Sequence, residues 1–428
     1  MKYSVITFGC RVNQADSLVI EGQLRGSGGV AAAPHEADVV IVNSCSVTAS
    51  ADQGTRQTVR RIARDNPNAR VIVTGCYATR RPEEVAALPN VVRVVVNDLK
   101  DTVADVVRRY HDVAATTAER FGDGDGPCGG ALEPGVAGRT ALTLRVQTGC
   151  EEQCSYCIIP RTRGTGRSRP LGAVMNDIQL AAAAGYKEIV ITGVHLGSYG
   201  RDLRDGTTLE KLVGALADYP RPVLFRISSL EPMDCSQAIV DLVASSPRLA
   251  PHFHLPLQHG SNDVLRAMQR PYTSEFYRTL VERVRADIPH ASIGSDLIVG
   301  FPGETRADFE RSAELLGTLP LTHVHVFPYS DRPGTAASSM SNKVAGAEVR
   351  TRGAVLRDIG RGLAHRFQRS QINTLRPALT VDDGAHVVTD NYLKLPIDSV
   401  RPRNEWVQVN VCGEPGALRG AVTDARSL

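Results

Sequence analysis

The 428-residue sequence predicts an α/β chain in three parts: a parallel-sheet N-terminal part, an open (βα)6 partial barrel, and a small C-terminal β-barrel. Three observations carry this. Near-continuous Val/Ile runs alternate with helical segments in the first hundred residues, as in a parallel sheet covered on both faces. Six further apolar runs between residues 141 and 327 alternate with helical segments, which implies a second, curved parallel sheet. Past residue 377 the chain breaks into short strands separated by Asp-Asp-Gly and Gly-Glu-Pro-Gly turns.

In the N-terminal part, residues 1–112, three β-branched runs each lead to a cysteine. Tyr3 to Phe8 is followed by Gly9-Cys10, Asp38 to Val42 by Cys45, and Arg70 to Val73 by Gly75-Cys76. Parallel sheets bind ligands beyond the carboxyl ends of their strands, so the three thiols are expected to meet at one edge. A single free cysteine is usually a small buried residue. Three at equivalent positions favour a ligand set. Arg56, Arg60, Arg61 and Arg64 fall on one helical face and read as solvated. Residues 113–138, which include Gly122-Asp-Gly-Asp-Gly-Pro127, read as a linker in which Cys128 is incidental.

The central part, 139–372, opens with an apolar run, 141–146, and then Cys150, Cys154 and Cys157 in Gly-Cys-Glu-Glu-Gln-Cys-Ser-Tyr-Cys. A 4Fe-4S cube is normally held by four cysteines; three leave one iron open to a small chelating ligand. Zinc would need a fourth Cys or His nearby, and the nearest downstream histidine, His195, lies a helix and a strand away. The later runs at 189–194, 223–228, 252–257, 293–299 and 323–327 alternate with helices such as 173–184, 262–269, 274–287 and 306–317. Six units fall short of a closed eight-fold barrel, so an open arc with its site at the strand C-termini is expected. An Arg-rich helix from about Ala345 to Leu375 leads to short strands around 378–382, 386–388, 392–395, 406–411 and 418–422. Such barrels, here 373–428, bind oligonucleotides or serve as plain caps.

Composition excludes little beyond this. With 42% hydrophobic and 22% charged residues the chain is ordinary for a globular protein, and a net charge of +3 does not announce a polyanionic partner. Nine cysteines spread over this length, three of them bunched, suit a reducing compartment rather than a disulfide framework. Met1-Lys2 leads directly into a strand-like run, and no apolar stretch approaches 18 residues, so a cytoplasmic protein without a membrane partner is expected.

The cysteine triplet resembles the radical S-adenosylmethionine signature, and the wider sequence resembles the methylthiotransferases of that class. The resemblance rests on Thr7-Phe-Gly-Cys-Arg-Val-Asn-Gln14, Val42-Asn-Ser-Cys-Ser-Val-Thr48, Val73-Thr-Gly-Cys-Tyr77, Ile158-Ile-Pro-Arg-Thr-Arg-Gly164 and His254-Leu-Pro-Leu-Gln-His-Gly-Ser-Asn262. It implies a Rossmann- or flavodoxin-like N-terminal domain in which Cys10, Cys45 and Cys76 hold an auxiliary 4Fe-4S cluster. It also implies a radical domain whose Cys150, Cys154 and Cys157 hold the cluster that cleaves S-adenosylmethionine, and a TRAM-type barrel that grips tRNA. Three branches of the family act on isopentenyladenosine in tRNA, on an aspartate of a ribosomal protein, and on N6-threonylcarbamoyladenosine in tRNA. Arg11-Val-Asn13, Thr192-Gly-Val-His-Leu-Gly-Ser-Tyr-Gly200 and Val388-Thr-Asp-Asn-Tyr392 resemble the third.

The implied reaction replaces the adenine C2 hydrogen, next to the anticodon, with methylthio. It calls for a tRNA anticodon loop, a reductase or flavodoxin-type electron donor, and a sulfur donor. Gly193, Ser228, Glu231, Gln258, Ile298 and Gly300, after successive strands, are the cofactor-contact candidates, although strand-end glycines and Ser-Ser pairs also form turns and caps. Arg161, Arg163, Arg167 and Arg169 beside the triplet suit phosphate contacts. Tyr392 and Lys394 are further RNA candidates in the barrel, with Arg401 and Arg403 nearby. His195 and His259 are expected to pack rather than exchange protons, and Cys235 and Cys412 to be ordinary buried thiols. A cluster-bearing RNA sensor without turnover is the alternative of a different class.

Overall fold

The computed structural model describes residues 1–110 and 140–423. The expected linker, with Cys128, lies outside the described residues. The N-terminal part is a five-stranded parallel sheet in the order Val30–Ala31, Lys2–Thr7, Val39–Ser44, Arg70–Gly75, Val91–Val95. Alternation along the central strands feeds two cores. Val39, Ile41 and Ile72 pack with Ile20 and Leu24 of helix Arg11–Gly26 and Val103 and Val107 of helix Val103–Arg109. Val40, Val42, Val71 and Val73 pack with Val59 and Ile62 of helix Ala49–Asp65. Each such side chain, fully buried, contributes roughly 1.5–3 kcal/mol. The sequence reading found three of these strands. It missed Val30–Ala31, which is two residues long and exposed, and Val91–Val95, an edge strand buried only at its end.

The central sheet is built from two parallel halves: Leu142–Arg145, Glu188–Thr192 and Leu224–Ile227 in one, His252–His254, Ser292–Val299 and His323–Pro328 in the other. Parallel bridges Phe225 to Leu249 and Ser229 to His254 join them into the six-strand arc expected from the sequence. Outward residues such as Ile189, Phe225, Phe253, Ile293 and Leu297 pack under the helices. The Arg-rich helix runs over Gly346–Gln371, and strand Leu375–Val381 begins where helix had been expected. Its Leu356 and Leu363 join the same core as Val324 and Val326, so it covers the last strand of the arc as a sixth helix rather than serving as a connector.

The C-terminal part is an antiparallel sheet in the order Lys394–Pro396, His386–Thr389, Leu375–Val381, Trp406–Glu414, Ala417–Thr423. A bridge from Ile397 to Gly420 nearly closes it around Val387, Leu395, Val409 and Val411. The strand expected over 392–395 starts only at Lys394, because Tyr392 turns with φ +73°. Among the described residues no helix is long and apolar enough to cross a membrane.

The N-terminal sheet spans the open side of the arc. On the first-strand side Arg145 reaches Asp16 at 2.5 Å. On the last-strand side Arg332 reaches Asp52 at 2.6 Å, and the Ala49 amide donates to Ser330 Oγ at 2.9 Å. The barrel closes the lower end: Arg226 Nη1 donates to the Asp390 carbonyl at 3.0 Å, and Asn391 Nδ2 to the His290 carbonyl at 3.0 Å.

Candidate functional site

Cys10, Cys45 and Cys76 stand at the carboxyl edge of the N-terminal sheet, after its second, third and fourth strands in spatial order. Cys10 caps helix Arg11–Gly26, and Cys76 opens helix Cys76–Arg80. Gly75 precedes Cys76 at φ +97°, where a Cβ would overlap the Ser44 backbone, so the turn that aims this thiol needs glycine. The three thiols lie close enough to repel one another as anions. Burial first, then Cys76 and Cys10, pushes the Cys45 thiol up to about 12. A buried thiol of this kind becomes a ligand only when a cation or cluster takes up its charge. The donor set fits a cluster with one iron free of protein.

The second group is built on a loop. Gly149, at φ +75°, sits where a Cβ would overlap the Thr165 carbonyl, and the Cys150 amide donates to the Gly164 carbonyl at 3.0 Å. Ser155 is pinned by its amide to the Met268 carbonyl and by Oγ to the Ala267 carbonyl, 3.1 and 2.8 Å. Burial pushes Cys157 up to about 12, with Cys154 and Cys150 adding to it. Arg270, which no local spacing singled out, donates from Nη1 to Cys154 Sγ at 3.1 Å and pairs with Glu231. Glu231 therefore lies beside this group. His195 does also: burial works against its charge, but Asp234 at 2.8 Å and Cys150 hold its pKa up at about 10. His259 is buried among Ser261, Ser312 and Glu304, a packing role.

The other cofactor candidates rim the same end of the arc. A Cβ on Gly193 would press on Gln147 Oε1 at 3.0 Å, and buried Ser228 Oγ donates to Thr192 Oγ1 at 3.2 Å. Gln258, at φ +68°, receives and returns backbone hydrogen bonds with the strand of Asp296 and Ile298, both 2.8 Å. Gly300 donates its amide to Glu304 and packs against Val349.

Two side chains tie the thiol groups together. Asn97 Nδ2 reaches Cys76 Sγ at 3.6 Å and donates to the Thr162 carbonyl at 2.7 Å. Arg163 donates to Asn13 Oδ1 at 2.5 Å, Asp16 Oδ2 at 3.0 Å and Thr148 Oγ1 at 3.3 Å. This corrects the expectation of Arg163 as a phosphate contact: it is 3% exposed and spent inside the protein. Its partner Asp16 also meets Lys100 at 2.8 Å; burial alone would raise this carboxyl, but the three cations hold it far below the carboxylate range. Arg169 pairs with Asp177 at 2.6 Å and Arg167 with Asp98 at 3.1 Å, while Arg161 is exposed across Gly334.

Tyr392 is not barrel core. It receives a hydrogen bond from Arg11 Nη2 at 2.8 Å, and the Arg226 guanidinium lies 4.7 Å from its ring centre. With Lys394, which pairs with Asp382 at 2.7 Å, and Arg419 it lines a groove of about 680 Å³ between the barrel and the long helix. Arg401 is exposed and Arg403 donates to Thr140 Oγ1 at 3.0 Å. Arg60, Arg61 and Arg64 are solvated as expected, whereas Arg56 donates to Tyr77 Oη at 2.8 Å. Cys235 is buried; Cys412 is only half-buried, a departure from the sequence reading.

Residues 2–97 match a family described as Uncharacterized protein family UPF0004, and residues 144–316 match the Radical SAM superfamily. The threonylcarbamoyladenosine tRNA methylthiotransferase MtaB of Aquifex aeolicus is 33% identical over 421 residues, 96% of this chain and 100% of that protein. The chain belongs to the threonylcarbamoyladenosine tRNA methylthiotransferase family. A second member, from Thermotoga maritima, is 36% identical over 374 residues, covering 87% of this chain and 85% of its own. In fold the methylthiotransferase is similar to the radical S-adenosylmethionine methyltransferase TsrM from Kitasatospora setae, with a TM-score of 0.56 at 16% identity over 79% of this chain and 77% of that one.

Proposed function

We propose that this chain converts N6-threonylcarbamoyladenosine at position 37 of tRNA, next to the anticodon, to its 2-methylthio derivative. The supporting observation is the pair of three-thiol groups joined across one seam by Asn97 and Arg163, inside a chain similar over its whole length to proteins of that name. Radical SAM membership brings a 4Fe-4S cluster and S-adenosylmethionine, and Cys150, Cys154 and Cys157 would hold that cluster. Cys10, Cys45 and Cys76 would hold a second. When bound, these groups supply one-electron cleavage of an unactivated C–H bond and a source of sulfur.

The protein's own share is positional. Arg270 and His195 place positive charge beside the first thiol group, offsetting the anionic thiolates in a buried site. Gly193, Ser228, Gln258, Ile298 and Gly300 shape the rim that would receive the cofactor, and the N-terminal sheet keeps water from the open side of the arc. An anticodon loop suits this design because a single-stranded base can be splayed into a pocket. Tyr392, Lys394 and Arg419 in the groove, with exposed Arg161 and Arg167, would meet the RNA. A reductase or flavodoxin-type donor and a sulfur donor complete the cycle in the cytoplasm, where thiols stay reduced.

The test is mass spectrometry of nucleosides from tRNA of cells with and without the gene. The 2-methylthio derivative of threonylcarbamoyladenosine should vanish on deletion and return on complementation. Its persistence would overturn the proposal.

A further inference from the structure

The inner face of the arc is polar on its last three strands. Alternation sends Phe253, Ile293, Leu297, Val324 and Val326 outward to the helices. The other parity turns His252 and His254, Asp296 and Ile298, and His323, His325 and Phe327 inward. Asp296 Oδ1 accepts from His254 Nε2 at 3.0 Å and from His325 Nδ1 at 3.1 Å, and the three groups converge within 4.8 Å. Ser229 Oγ, 2.7 Å from His254 Nδ1, fixes that ring. The His323 ring fills the space beside Gly294 and lies parallel to His254 at 6.3 Å. The row is graded: His252 is buried at the bottom against Tyr392, whereas the His325 side chain is 58% exposed and Phe327 42%.

This wall looks into the space the proposed reaction would use. Gln258 and Ile298 continue the same strands one step further, and Ser330 and Arg332, just past Phe327, bind the sheet that carries Cys10, Cys45 and Cys76. On the reading given under Proposed function, on which this inference rests, adenine C2 must face the thiol groups. C2 and C6, which bears N6, both flank N1 and are meta on the six-membered ring, so the bond to N6 diverges from the C2–H bond and the N6 substituent lies to the side of the thiol groups. That substituent carries ureido N–H groups, a hydroxyl and a carboxylate. We propose that His254, Asp296 and His325 are its binding subsite: His325 donates to the carboxylate from the ring nitrogen that Asp296 leaves free, Asp296 accepts from the ureido or hydroxyl donors, and His254, held at both nitrogens by Ser229 and Asp296, fixes Asp296 in place. An isopentenyl group in the same place would leave these groups desolvated and unpaired, the arrangement by which a polar site rejects an apolar analogue. The three side chains thereby select the threonylcarbamoyl base.

The test compares wild type, His325→Phe and Asp296→Asn, all with clusters loaded, on anticodon stem-loops whose position 37 carries threonylcarbamoyladenosine, isopentenyladenosine or adenosine. Wild type should bind the first at least tenfold more tightly than the others. Both variants should lose that preference and raise KM for the first by a similar factor, with iron content unchanged; His325→Gln, which keeps a donor, should recover part. Wild-type preference retained in both variants overturns the inference alone. A wild type that methylthiolates none of the three overturns the proposed function and this inference with it. A divalent ion beyond the cluster iron, bound stoichiometrically and lost in His325→Phe, overturns it in favour of a cation site.

Discussion

Replacing Asp16 with Asn isolates the charge at the seam between the N-terminal sheet and the arc. The Asp16 side chain is 1% exposed, and its partners Lys100 and Arg163 are 5% and 2% exposed. Asn keeps the shape and one acceptor, so Lys100 retains Asn43 Oδ1 at 3.1 Å and Arg163 retains Asn13 Oδ1. What disappears is a carboxylate paired with two buried cations. Removing one member of a buried ion pair costs about 3–5 kcal/mol, and the surviving hydrogen bonds place this case near about 3, roughly a hundredfold in the folding equilibrium. Guanidinium unfolding followed by far-UV circular dichroism, with the slope checked against wild type, measures it. The Asp98 and Arg167 pair is the control, since its side chains are 67% and 57% exposed; Asp98→Asn should change stability by under about 0.5 kcal/mol. The pH dependence has a definite sign. Because the folded state depresses the Asp16 pKa, its contribution is complete above the ordinary carboxylate range, around pH 4, and is lost as pH falls below that. A loss under about 1 kcal/mol for Asp16→Asn, the level of an exposed pair, would refute the argument that this seam depends on a buried charge.

Changing Cys10, Cys45 and Cys76 together to Ala should lower iron content by about half and abolish methylthiolation, while S-adenosylmethionine is still cleaved under reducing conditions; retained methylthiolation would remove the second cluster from the reaction. Gly149→Ala should impair loading at Cys150, because it needs φ +75° beside the Thr165 carbonyl, and iron analysis of the variant against wild type would show the deficit. Lys394→Glu combined with Arg419→Glu should weaken tRNA binding about equally across tRNA sequences and flatten its salt dependence, as loss of phosphate contacts does; unchanged affinity would take the groove out of the interface. Point changes serve better here than truncation after Thr374, since Asp390 and Asn391 of the barrel cap Arg226 and His290 in the arc.

Legibility followed the range of the interaction. Strand runs ending in cysteine, and the alternation of six apolar runs with helices, are local patterns, so the two sheets and the positions of the thiols could be read from spacing. The edge strand Val91–Val95 was hidden because it is half-buried or exposed along most of its length and fully buried only at Val95, which weakens its pattern. The long helix was read to within a few residues of its bounds, but its Arg-rich surface masked the stripe of Leu356 and Leu363 by which it covers the arc. What no local rule could supply is the pairing of charges far apart in the chain. Arg163 sits among arginines that look alike in sequence, yet Asp16, 147 residues away, draws it into the interior, while Arg161 two residues earlier stays exposed. Arg270 meets Cys154 across 116 residues, and His325 meets Asp296 across 29. In each case a buried or half-buried charge needs a partner, and the fold decides which one; the sequence names the candidates, and the parity of a strand or the depth of a loop chooses among them. The same rule separates the arginines available to RNA from those already used to join the two thiol groups, which is why a basic cluster beside an active site is not by itself a phosphate site.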